Sequence, residues 1–504
     1  MAISYVLGVD HGSGGCKITC LGSDGTVASE AYVSYPSLYP KPRWVEQDPN
    51  QWIDAAVEGI RKAISSFSTE QRSRMEAIAF SAPHHVAVLL DKGGSALRNV
   101  IMWNDQRSGD ESKELYRLKG ERIYDLTNNA PNPTWTLSHF LWLRKHEPEA
   151  LERVQRIVFM KDYVRYRFSG DIATDHIEAE GSLFYDIHEQ RWSDELLELI
   201  ALDKSLLPPV GSPLDRAGSL TQEMADRLGL PAGIAIVMGT ADTAAEVYGC
   251  GTVEAGDGVV KLATAGNFAL VTDKLPRNDK LTAYHHVIDG LYYQNSATNF
   301  AAASFRWFKE SFYREAEGRI GAEDIYDYIV GMVDCLPAGS EGLLFQPYLN
   351  GERSPHWDPY LRGSFFGTTT RHTREHFARA VLEGVAYSLR DCANQLSDRP
   401  LKAVKLIGGG SKGRPWIQIM ASVLNLEMEI PEVSDSSFGA CLIAATSIGW
   451  YSDLREAVSH AQRVVESVAP VPEDVKVYDE MFSIYRELHS RTHDLAHRLT
   501  SMQE

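Results

Sequence analysis

A strand–turn–strand pattern occurs twice in the sequence, about half the chain apart. Residues 3–22 carry two apolar runs on either side of a glycine-rich turn, and residues 256–274 repeat that outline around a turn of small residues. The recurrence predicts two duplicated domains, which a chain of 504 residues is long enough to form. Hairpins with glycines are common in other folds, so this pattern alone leaves two unrelated domains open.

A stretch rich in small residues near 250–256 separates the two halves. We therefore divide the chain into an N-terminal domain, 1–252, and a C-terminal domain, 253–504. The C-terminal domain ends in a segment, 473–499, whose apolar residues follow helical spacing. This segment predicts a long amphipathic helix that packs against the rest of its domain.

The charge and the cysteines of the chain argue against several classes of protein. The formal net charge is −18, and an acidic surface repels nucleic-acid phosphates and anionic lipids, so we expect neither as a partner. The first residues lack the pattern of a signal peptide, and no apolar stretch reaches the roughly 18 residues of a transmembrane helix. The six cysteines are scattered without a CxxC pair, which is typical of buried thiols in a reducing compartment. We expect a cytoplasmic protein.

The first glycine-rich turn, residues 10–15, suits an anion such as phosphate. Its glycines let the backbone approach a ligand closely, and backbone amides can face phosphate oxygens. Asp10 follows the first predicted strand, where its carboxylate can hold Mg²⁺ through water. An ordinary turn capped by an aspartate has the same local sequence, so both interpretations stay open at this point.

A second glycine turn, 408–413, lies between an apolar strand, 403–407, and a helix-like pattern that begins near Trp416. A glycine turn from strand to helix can hold a nucleotide, because the amides at a helix N-terminus point toward it. Such turns are common, so this one alone is a weak indication of nucleotide binding.

Asp242 follows an apolar run, 233–238, and precedes a helical pattern of small residues. Proteins of the α/β class display catalytic side chains at the carboxyl ends of their strands. A carboxylate in this position can act as a general base that accepts the proton of an attacking hydroxyl. Aspartate is also a favoured N-cap of helices, and the two roles are compatible.

Two segments between predicted strands, 81–91 and 101–108, combine polar and aromatic side chains. His85 and Asp105 can hydrogen-bond sugar hydroxyls, and Trp103 offers an apolar face to sugar C–H groups. Taken singly, each of these residues is more often structural.

The predicted C-terminal helix carries three histidines, His489, His493 and His497, at a spacing of four residues. Histidines at this spacing can bind a metal from one helix face. The arginines and aspartates between them favour a solvent-exposed face instead.

Taken together and in this order, these segments resemble the FGGY family of carbohydrate kinases. The resemblance spans the chain from Gly8 to about Trp450 and is most specific over 342–391, where a chance match of that length is implausible. Further similar segments are RWVEQDPNQW (43–52), IMWNDQRS (101–108), KDYVRYRFSGDIATD (161–175) and the triple glycine at 408–410.

The resemblance implies two α/β domains of the actin-like (ribonuclease H-like) ATPase type with a cleft between them. It implies ATP with Mg²⁺ as the phosphate donor, a sugar site in 1–252 and a nucleotide site in 253–504. Asp242 matches the family's catalytic base. Asp10 matches the carboxylate that supports the metal, through water, beside the phosphates.

The resemblance also assigns the remaining site residues. Positions that match the sugar site are His84, His85, Trp103, Asp105 and Asp242. Positions that match the nucleotide site are Gly12, Ser13, Gly14, Lys17, Thr264, Gly266, Gly409, Gly410, Ser411 and Lys412. We also expect a homodimer, the default oligomer of such enzymes.

Several positions depart from the family pattern. They are His11, Gly14, Gly15, Pro83, His84, Thr243 and Ala265. D-xylulose, phosphorylated to D-xylulose 5-phosphate, is the expected substrate. The alternatives are a kinase of another ketose or polyol (ribulose, glycerol, erythritol or gluconate) and a non-catalytic ATP-binding protein of the same fold.

Overall fold

The computed structural model describes residues 2–275, 277–321, 324–396 and 401–502. Its strands are β1 (Tyr5–His11), β2 (Gly15–Gly22), β3 (Val27–Ser34), β4 (Glu46–Gln47), β5 (Met75–Ala82), β6 (Ala87–Leu90), β7 (Val100–Ile101), β8 (Arg156–Phe159), β9 (Thr174–Asp175), β10 (Tyr185–Asp186), β11 (Arg191–Trp192), β12 (Val210–Gly211), β13 (Arg216–Ser219), β14 (Ala235–Ala241), β15 (Gly258–Leu262), β16 (Gly266–Thr272), β17 (Thr282–His285), β18 (Tyr292–Thr298), β19 (Leu344–Gln346), β20 (Ser364–Phe366), β21 (Val404–Ile407), β22 (Met428–Pro431) and β23 (Val464–Val468).

Its helices are α1 (Pro49–Ala63), α2 (Thr69–Arg72), α3 (Gly109–Thr127), α4 (Thr136–His146), α5 (Pro148–Glu152), α6 (Met160–Ser169), α7 (His176–Gly181), α8 (Asp194–Leu199), α9 (Gln222–Leu228), α10 (Asp242–Gly249), α11 (Ala302–Phe312), α12 (Arg314–Ile320), α13 (Asp324–Val333), α14 (Arg374–Ala393), α15 (Arg414–Leu424), α16 (Ser436–Ser447), α17 (Leu454–Ala461) and α18 (Pro472–Thr500). Short 3₁₀ turns lie at Lys204–Leu206, Ser340–Gly342 and Gly409–Lys412.

These elements form two compact units. The first contains residues 1–253, 283–292 and 433–463, and the second contains 254–282, 293–432 and 464–504. The division that we drew after residue 252 differs from these units in two segments. Residues 283–292 and 433–463 belong to the first unit, although they come later in the chain than the main part of that unit.

A mixed sheet with the strand order β13-β14-β5-β1-β2-β3 forms the centre of the first unit. β1 pairs antiparallel with β2 and parallel with β5, and β5 pairs parallel with β14. The register places Asp10 beside Ser81, and Ala82 beside Ala241. Because parallel strands end at the same sheet edge, β1, β5 and β14 bring their carboxyl ends together there.

Helices cover the two faces of this sheet. Side chains alternate between the faces of a strand, and Leu7 of β1 packs in one core cluster with Trp52 and Ile60 of α1. On the opposite face of β1, Gly8 lies directly against α16. A Cβ added to Gly8 would come 1.8 Å from the backbone oxygen of Ser437, so this contact requires glycine.

A second mixed sheet, in the second unit, runs from β18 through β16, β15, β21 and β22 to β23. β15 pairs antiparallel with β16 and parallel with β21. This is the arrangement that β1 has with β2 and β5. The two strand–turn–strand segments found in the sequence therefore occupy equivalent positions in their sheets.

The predicted C-terminal helix is α18, and it packs within the second unit. Its buried residues Tyr478 and Tyr485 belong to the same core cluster as the buried side of α14. Arg379 of α14 donates a 2.9 Å hydrogen bond to the Tyr478 hydroxyl, which in turn donates to Glu383 at 3.0 Å. Within the described parts of the chain, no helix is both long enough and apolar enough to cross a bilayer.

Candidate active site

Four carboxylates gather at the edge of the first sheet where β1 and β14 end. Asp10 lies near the end of β1, Asp242 and Glu246 lie one helical turn apart on α10, and Asp435 immediately precedes α16. Burial, followed by the negative charge of Asp242 and the smaller effects of Asp435 and Glu246, raises the pKa of Asp10 to about 8. Oxygen ligands at this charge density suit a hard divalent cation, which fits the predicted Mg²⁺ site at Asp10.

Asp242 is the first residue of α10 and directly follows β14. The N-cap position belongs to Ala241 rather than to Asp242. One carboxylate oxygen, Oδ1, accepts a 2.6 Å hydrogen bond from the backbone amide of Thr243. Asp242 is only partly buried, so its side chain can meet a ligand.

Lys17, a predicted nucleotide contact, lies between two carboxylates in the structure. Its ammonium is 2.7 Å from Asp435 and 2.9 Å from Glu30. Asp435 also caps α16, because its Oδ1 accepts from the amide of Phe438 at 3.0 Å. A phosphate contact by Lys17 would therefore compete with these two ion pairs.

The turn between β1 and β2 has its carbonyls fixed and its amides available. The Gly12 carbonyl accepts a 2.6 Å hydrogen bond from the Tyr35 hydroxyl, and the Ser13 carbonyl accepts a 2.7 Å bond from the Gln47 side chain. Ser13 and Gly14 are exposed, and among the described residues neither of their amides donates a hydrogen bond. Fixed carbonyls with open amides are the arrangement that a phosphate needs.

Of the two predicted sugar contacts on the 101–108 segment, only Trp103 keeps a surface for a ligand. Its Nε1 donates a 2.8 Å hydrogen bond to the Ser13 hydroxyl, which links it to the β1–β2 turn. Asp105 is fully buried, and it accepts from the Val45 amide at 2.6 Å and from the Arg107 guanidinium at 2.8 and 3.0 Å. The carboxylate of Asp105 is thus occupied by protein groups and supports the segment rather than facing outward.

His84 and His85 are buried between aromatic rings. The His84 ring stacks on Tyr284 at 4.5 Å between centroids, and the His85 ring stacks on Trp135 at 4.9 Å. Burial lowers the pKa of both imidazoles, although the negative charge of Asp242 opposes this effect at His84. Both rings are therefore neutral near pH 7 and can accept or donate hydrogen bonds. His85 has a positive φ of 55°, in the left-handed region that residues other than glycine rarely adopt.

Sequence reasoning missed the charged network beneath these histidines. Lys161 is fully buried and lies 2.5 Å from Asp162 and 2.8 Å from Asp175. Asp175 accepts a 2.9 Å hydrogen bond from Thr240, two residues before Asp242. The network thereby fixes the end of β14, from which Asp242 projects. Its charged residues, Lys161, Asp162 and Asp175, fall in the segment 161–175, which resembles the family without suggesting a role for any one of them.

In the second unit, the two glycine turns are neighbours. The Thr264 carbonyl accepts from the Ala301 amide at 3.1 Å, and Gly266 packs against the Ala301 side chain. Gly408 has a φ of 92°, and a Cβ added to it would lie 2.6 Å from the Leu262 carbonyl oxygen. The turn after β21 therefore lies directly on the turn after β15.

The remaining predicted nucleotide residues are in the short 3₁₀ turn Gly409–Lys412. Gly409 is exposed, and no atom lies within 4 Å of the place that its Cβ would take. Gly410 is buried against Leu262, and the Ser411 hydroxyl donates to the Gly408 carbonyl at 2.7 Å. Lys412 is exposed. This turn presents an open glycine surface beside an exposed lysine side chain, which suits a planar base and its ribose.

Comparison with known proteins shows which enzymes share this architecture. The family model "FGGY family of carbohydrate kinases, N-terminal domain" matches residues 5–249, and the corresponding C-terminal domain matches residues 264–448. A xylulose kinase of Lactococcus lactis is 31% identical over 509 residues, covering all of both chains. A gluconokinase of Bacillus subtilis is 27% identical over 500 residues, covering 96% of this chain and 95% of its own.

A solved structure gives the same result for the fold. A crystal structure of a xyloylose kinase from Brucella ovis has a TM-score of 0.89 and 28% sequence identity, and the match covers 98% of this chain and 100% of that chain. The prediction of two actin-like α/β domains is thereby confirmed. On this evidence the chain belongs to the FGGY family of carbohydrate kinases, enzymes that transfer a phosphoryl group to a sugar hydroxyl.

Proposed function

We propose that this chain phosphorylates D-xylulose to D-xylulose 5-phosphate with Mg²⁺-bound ATP. The observation that carries the proposal is the carboxylate cluster around Asp10 and Asp242 on a chain that aligns over its whole length with a xylulose kinase. Phosphoryl transfer needs neutralised phosphates and an aligned acceptor hydroxyl more than it needs covalent chemistry from the protein. The cluster contains groups for both tasks.

Asp242 is the general base in this proposal. Its carboxylate is partly exposed and is fixed by the Thr243 amide at 2.6 Å. It would accept the proton of the sugar hydroxyl as that oxygen attacks the terminal phosphate, a contribution of about 10²–10⁴ to the rate.

Asp10 would hold Mg²⁺ through intervening water, which would account for a carboxylate buried beside three others. In the absence of a cation, burial and the charge of Asp242 raise the pKa of Asp10 to about 8. Bound Mg²⁺ would supply the positive charge that neutralises the phosphates and keeps Asp10 ionised. The exposed amides of Ser13 and Gly14 would face phosphate oxygens.

The adenosine would bind the turn Gly409–Lys412 of the second unit. The open surface at Gly409 is where the nucleotide would pack, and Thr264 with Gly266 forms the adjoining turn for its phosphates. Ser411 keeps the turn closed through its bond to the Gly408 carbonyl, at 2.7 Å.

Charge favours a neutral sugar over a sugar acid at this site. The charged groups that act on His84 are Asp242, Asp175, Glu180 and Lys161. Lys161 is already paired with two aspartates. A gluconate carboxylate bound near His84 would therefore meet net negative charge, whereas a neutral ketose would meet only hydrogen-bonding groups.

The test is sugar-dependent release of ADP by the purified chain with Mg²⁺-ATP. The panel comprises D-xylulose, D-ribulose, gluconate, glycerol and erythritol. We expect the highest kcat/KM with D-xylulose and a much lower value with gluconate. A preference for gluconate or a polyol would reassign the substrate, and no release with any sugar would favour a non-catalytic ATP-binding protein. Size-exclusion chromatography with light scattering tests the accompanying proposal of a homodimer.

A further inference from the structure

One carboxylate and two imidazoles converge on the last helix of the second unit, among residues that have no part in the proposed sugar, nucleotide or Mg²⁺ sites. They are Asp358, which lies in the loop between β19 and β20, and His493 and His497 of α18. Asp358 Oδ2 is 3.1 Å from His493 Nε2 and 2.6 Å from His497 Nε2. We propose that these three side chains bind one divalent transition-metal ion of the Zn²⁺ type, with water as the fourth ligand.

The distances are close to those of a tetrahedral zinc site. One potential ligand atom from each residue lies within 4.8 Å of the others. In a tetrahedral site with metal–ligand bonds of about 2.0–2.2 Å, the ligand atoms are about 3.3–3.6 Å apart. Small side-chain rotations would therefore admit the ion without movement of the backbone. Both histidines are partly exposed, so water can reach the fourth position.

A neighbouring carboxylate orients one ligand. The Nδ1 atom of His493 lies 3.0 Å from Asp494 Oδ1. With an ion bound, the ring proton of His493 would lie on Nδ1 and be donated to Asp494, which leaves the Nε2 lone pair for the ion. A carboxylate behind a ligating histidine is the usual outer partner in zinc sites, where it fixes the tautomer and raises the basicity of the ring.

The third ligand is held rigidly by its own loop. Asp358 Oδ1 accepts a 2.8 Å hydrogen bond from the Tyr360 amide. The backbone of Asp358 exchanges hydrogen bonds of 2.8 and 2.9 Å with the backbone of Glu352. These contacts leave Oδ2 directed at the two imidazoles. Because Asp358 is 139 residues from His497 in the chain, the histidine spacing alone could not show this ligand.

His489 does not belong to the site, although it continues the same stripe. Its ring stacks on His356 at 3.8 Å between centroids. Burial is the main reason why the pKa of His489 is lowered. The three histidines therefore differ in their surroundings: His489 is packed, whereas His493 and His497 share the Asp358 carboxylate. Three equivalent metal ligands, or three solvent-exposed side chains, would not show this difference.

A bound ion would fasten the end of α18 to the loop that carries Asp358. One contact already joins them, since the Thr500 hydroxyl donates to the Tyr360 carbonyl at 2.8 Å. An ion that binds the folded state but not the unfolded chain stabilises the fold by mass action. The site is therefore structural and separate from the phosphoryl-transfer chemistry.

The test uses the full-length, nucleotide-free protein after treatment with a chelator. Zn²⁺ is titrated by calorimetry, bound metal is counted by mass spectrometry, and Co²⁺ is added as a spectroscopic probe. We expect about one Zn²⁺ per chain, a rise in Tm on binding and the visible absorption of tetrahedral Co²⁺. The double variant His493→Gln/His497→Gln should lose all three signals. Asp494→Asn should weaken binding about 10–100-fold, as loss of an outer partner does.

The matched control is His460→Gln, which removes an exposed histidine of the first unit and should bind Zn²⁺ as the unsubstituted chain does. Sugar-dependent ADP release of the double variant separates this proposal from the kinase proposal, because the site takes no part in catalysis. Unchanged Zn²⁺ stoichiometry and affinity in the folded double variant would overturn the proposal. So would the absence of Zn²⁺ binding by the unsubstituted chain.

Discussion

The Ser81 hydroxyl donates a 2.6 Å hydrogen bond to Asp10 Oδ1. The two residues are neighbours on the parallel strands β1 and β5, and the bond acts across the sheet edge from which the candidate active site is built. It opposes the burial that raises the pKa of Asp10, since a donor stabilises the ionised carboxylate. The position of Asp10 is thus fixed by the sheet, and its charge is set by the groups around it.

Removal of the Asp242 carboxylate tests the general base. Asp242→Asn keeps the shape of the side chain and its acceptor for the Thr243 amide, so we expect the fold and sugar binding to persist. Turnover should fall by about 10²–10⁴, the usual contribution of a positioned base. Steady-state ADP release and sugar-dependent fluorescence quenching measure the two effects. Asp226→Asn, at an exposed position of α9, is the control, and near-normal turnover of Asp242→Asn would refute the role.

The open surface at Gly409 tests the nucleotide site. An alanine Cβ at this position meets nothing within 4 Å, so Gly409→Ala should leave Tm unchanged. If adenosine packs there, KM for ATP should rise several-fold while KM for the sugar stays the same. The neighbouring Gly408→Ala should instead destabilise the fold, because of its φ of 92° and its contact with Leu262. Equal KM values for ATP in Gly409→Ala and the unsubstituted chain would show that adenosine does not bind at Gly409.

His139 should make the protein less stable in acid. Burial lowers the pKa of this imidazole from 6.5 to about 4. Between these two values the unfolded chain binds a proton that the folded state does not, so stability is complete above pH 6.5 and falls as the pH drops toward 4. Since one pKa unit corresponds to 1.36 kcal/mol, protonation of His139 should lower the free energy of unfolding by up to about 3 kcal/mol in acid. His139→Gln should abolish this decrease.

Urea unfolding at pH 7.5, 5.5 and 4.5 measures the effect as a difference between the variant and the unsubstituted chain. This comparison cancels the contribution of other buried histidines, such as His286. His188→Gln, at an exposed histidine of the first unit, serves as the control. A His139→Gln variant whose stability follows pH as steeply as the unsubstituted chain would contradict the assignment.

The contact between β1 and α16 should tolerate no side chain at Gly8. Gly8→Ala places a Cβ 1.8 Å from the Ser437 carbonyl oxygen. The Cβ is fixed to the backbone of β1 and the oxygen is part of the backbone of α16, so neither atom can rotate away. We expect a loss of at least about 1–3 kcal/mol in the free energy of unfolding, the usual cost of overpacking a core. Gly109→Ala is the matched control, since a Cβ there meets nothing within 4 Å. Similar thermal unfolding of the two variants would show that α16 moves away at little cost.

Local sequence determined the elements and the residues that end them. Short apolar runs on either side of a glycine turn predicted the β1–β2 hairpin and its counterpart β15–β16, because such runs bounded by glycine turns are typical of buried strands. Asp242 was placed correctly at the end of a strand for the same reason. Even the helix α18 was predicted to within a residue or two, since its apolar stripe is long and regular.

The contacts between distant side chains depend on the three-dimensional fold and could not be predicted from local sequence. Asp435 lies 418 residues from Lys17, with which it pairs, and the segment 433–463 joins the first unit although its sequence follows the second. The sequence predicts Asp105 as a sugar ligand, whereas in the structure Arg107 and the Val45 amide occupy its carboxylate. Asp358 supplies the oxygen between two histidines that, as a sequence pattern, favoured a solvated face. The periodicity of a chain encodes which residues are buried, but the partners of a buried charge are set by topology, which brings together segments hundreds of residues apart.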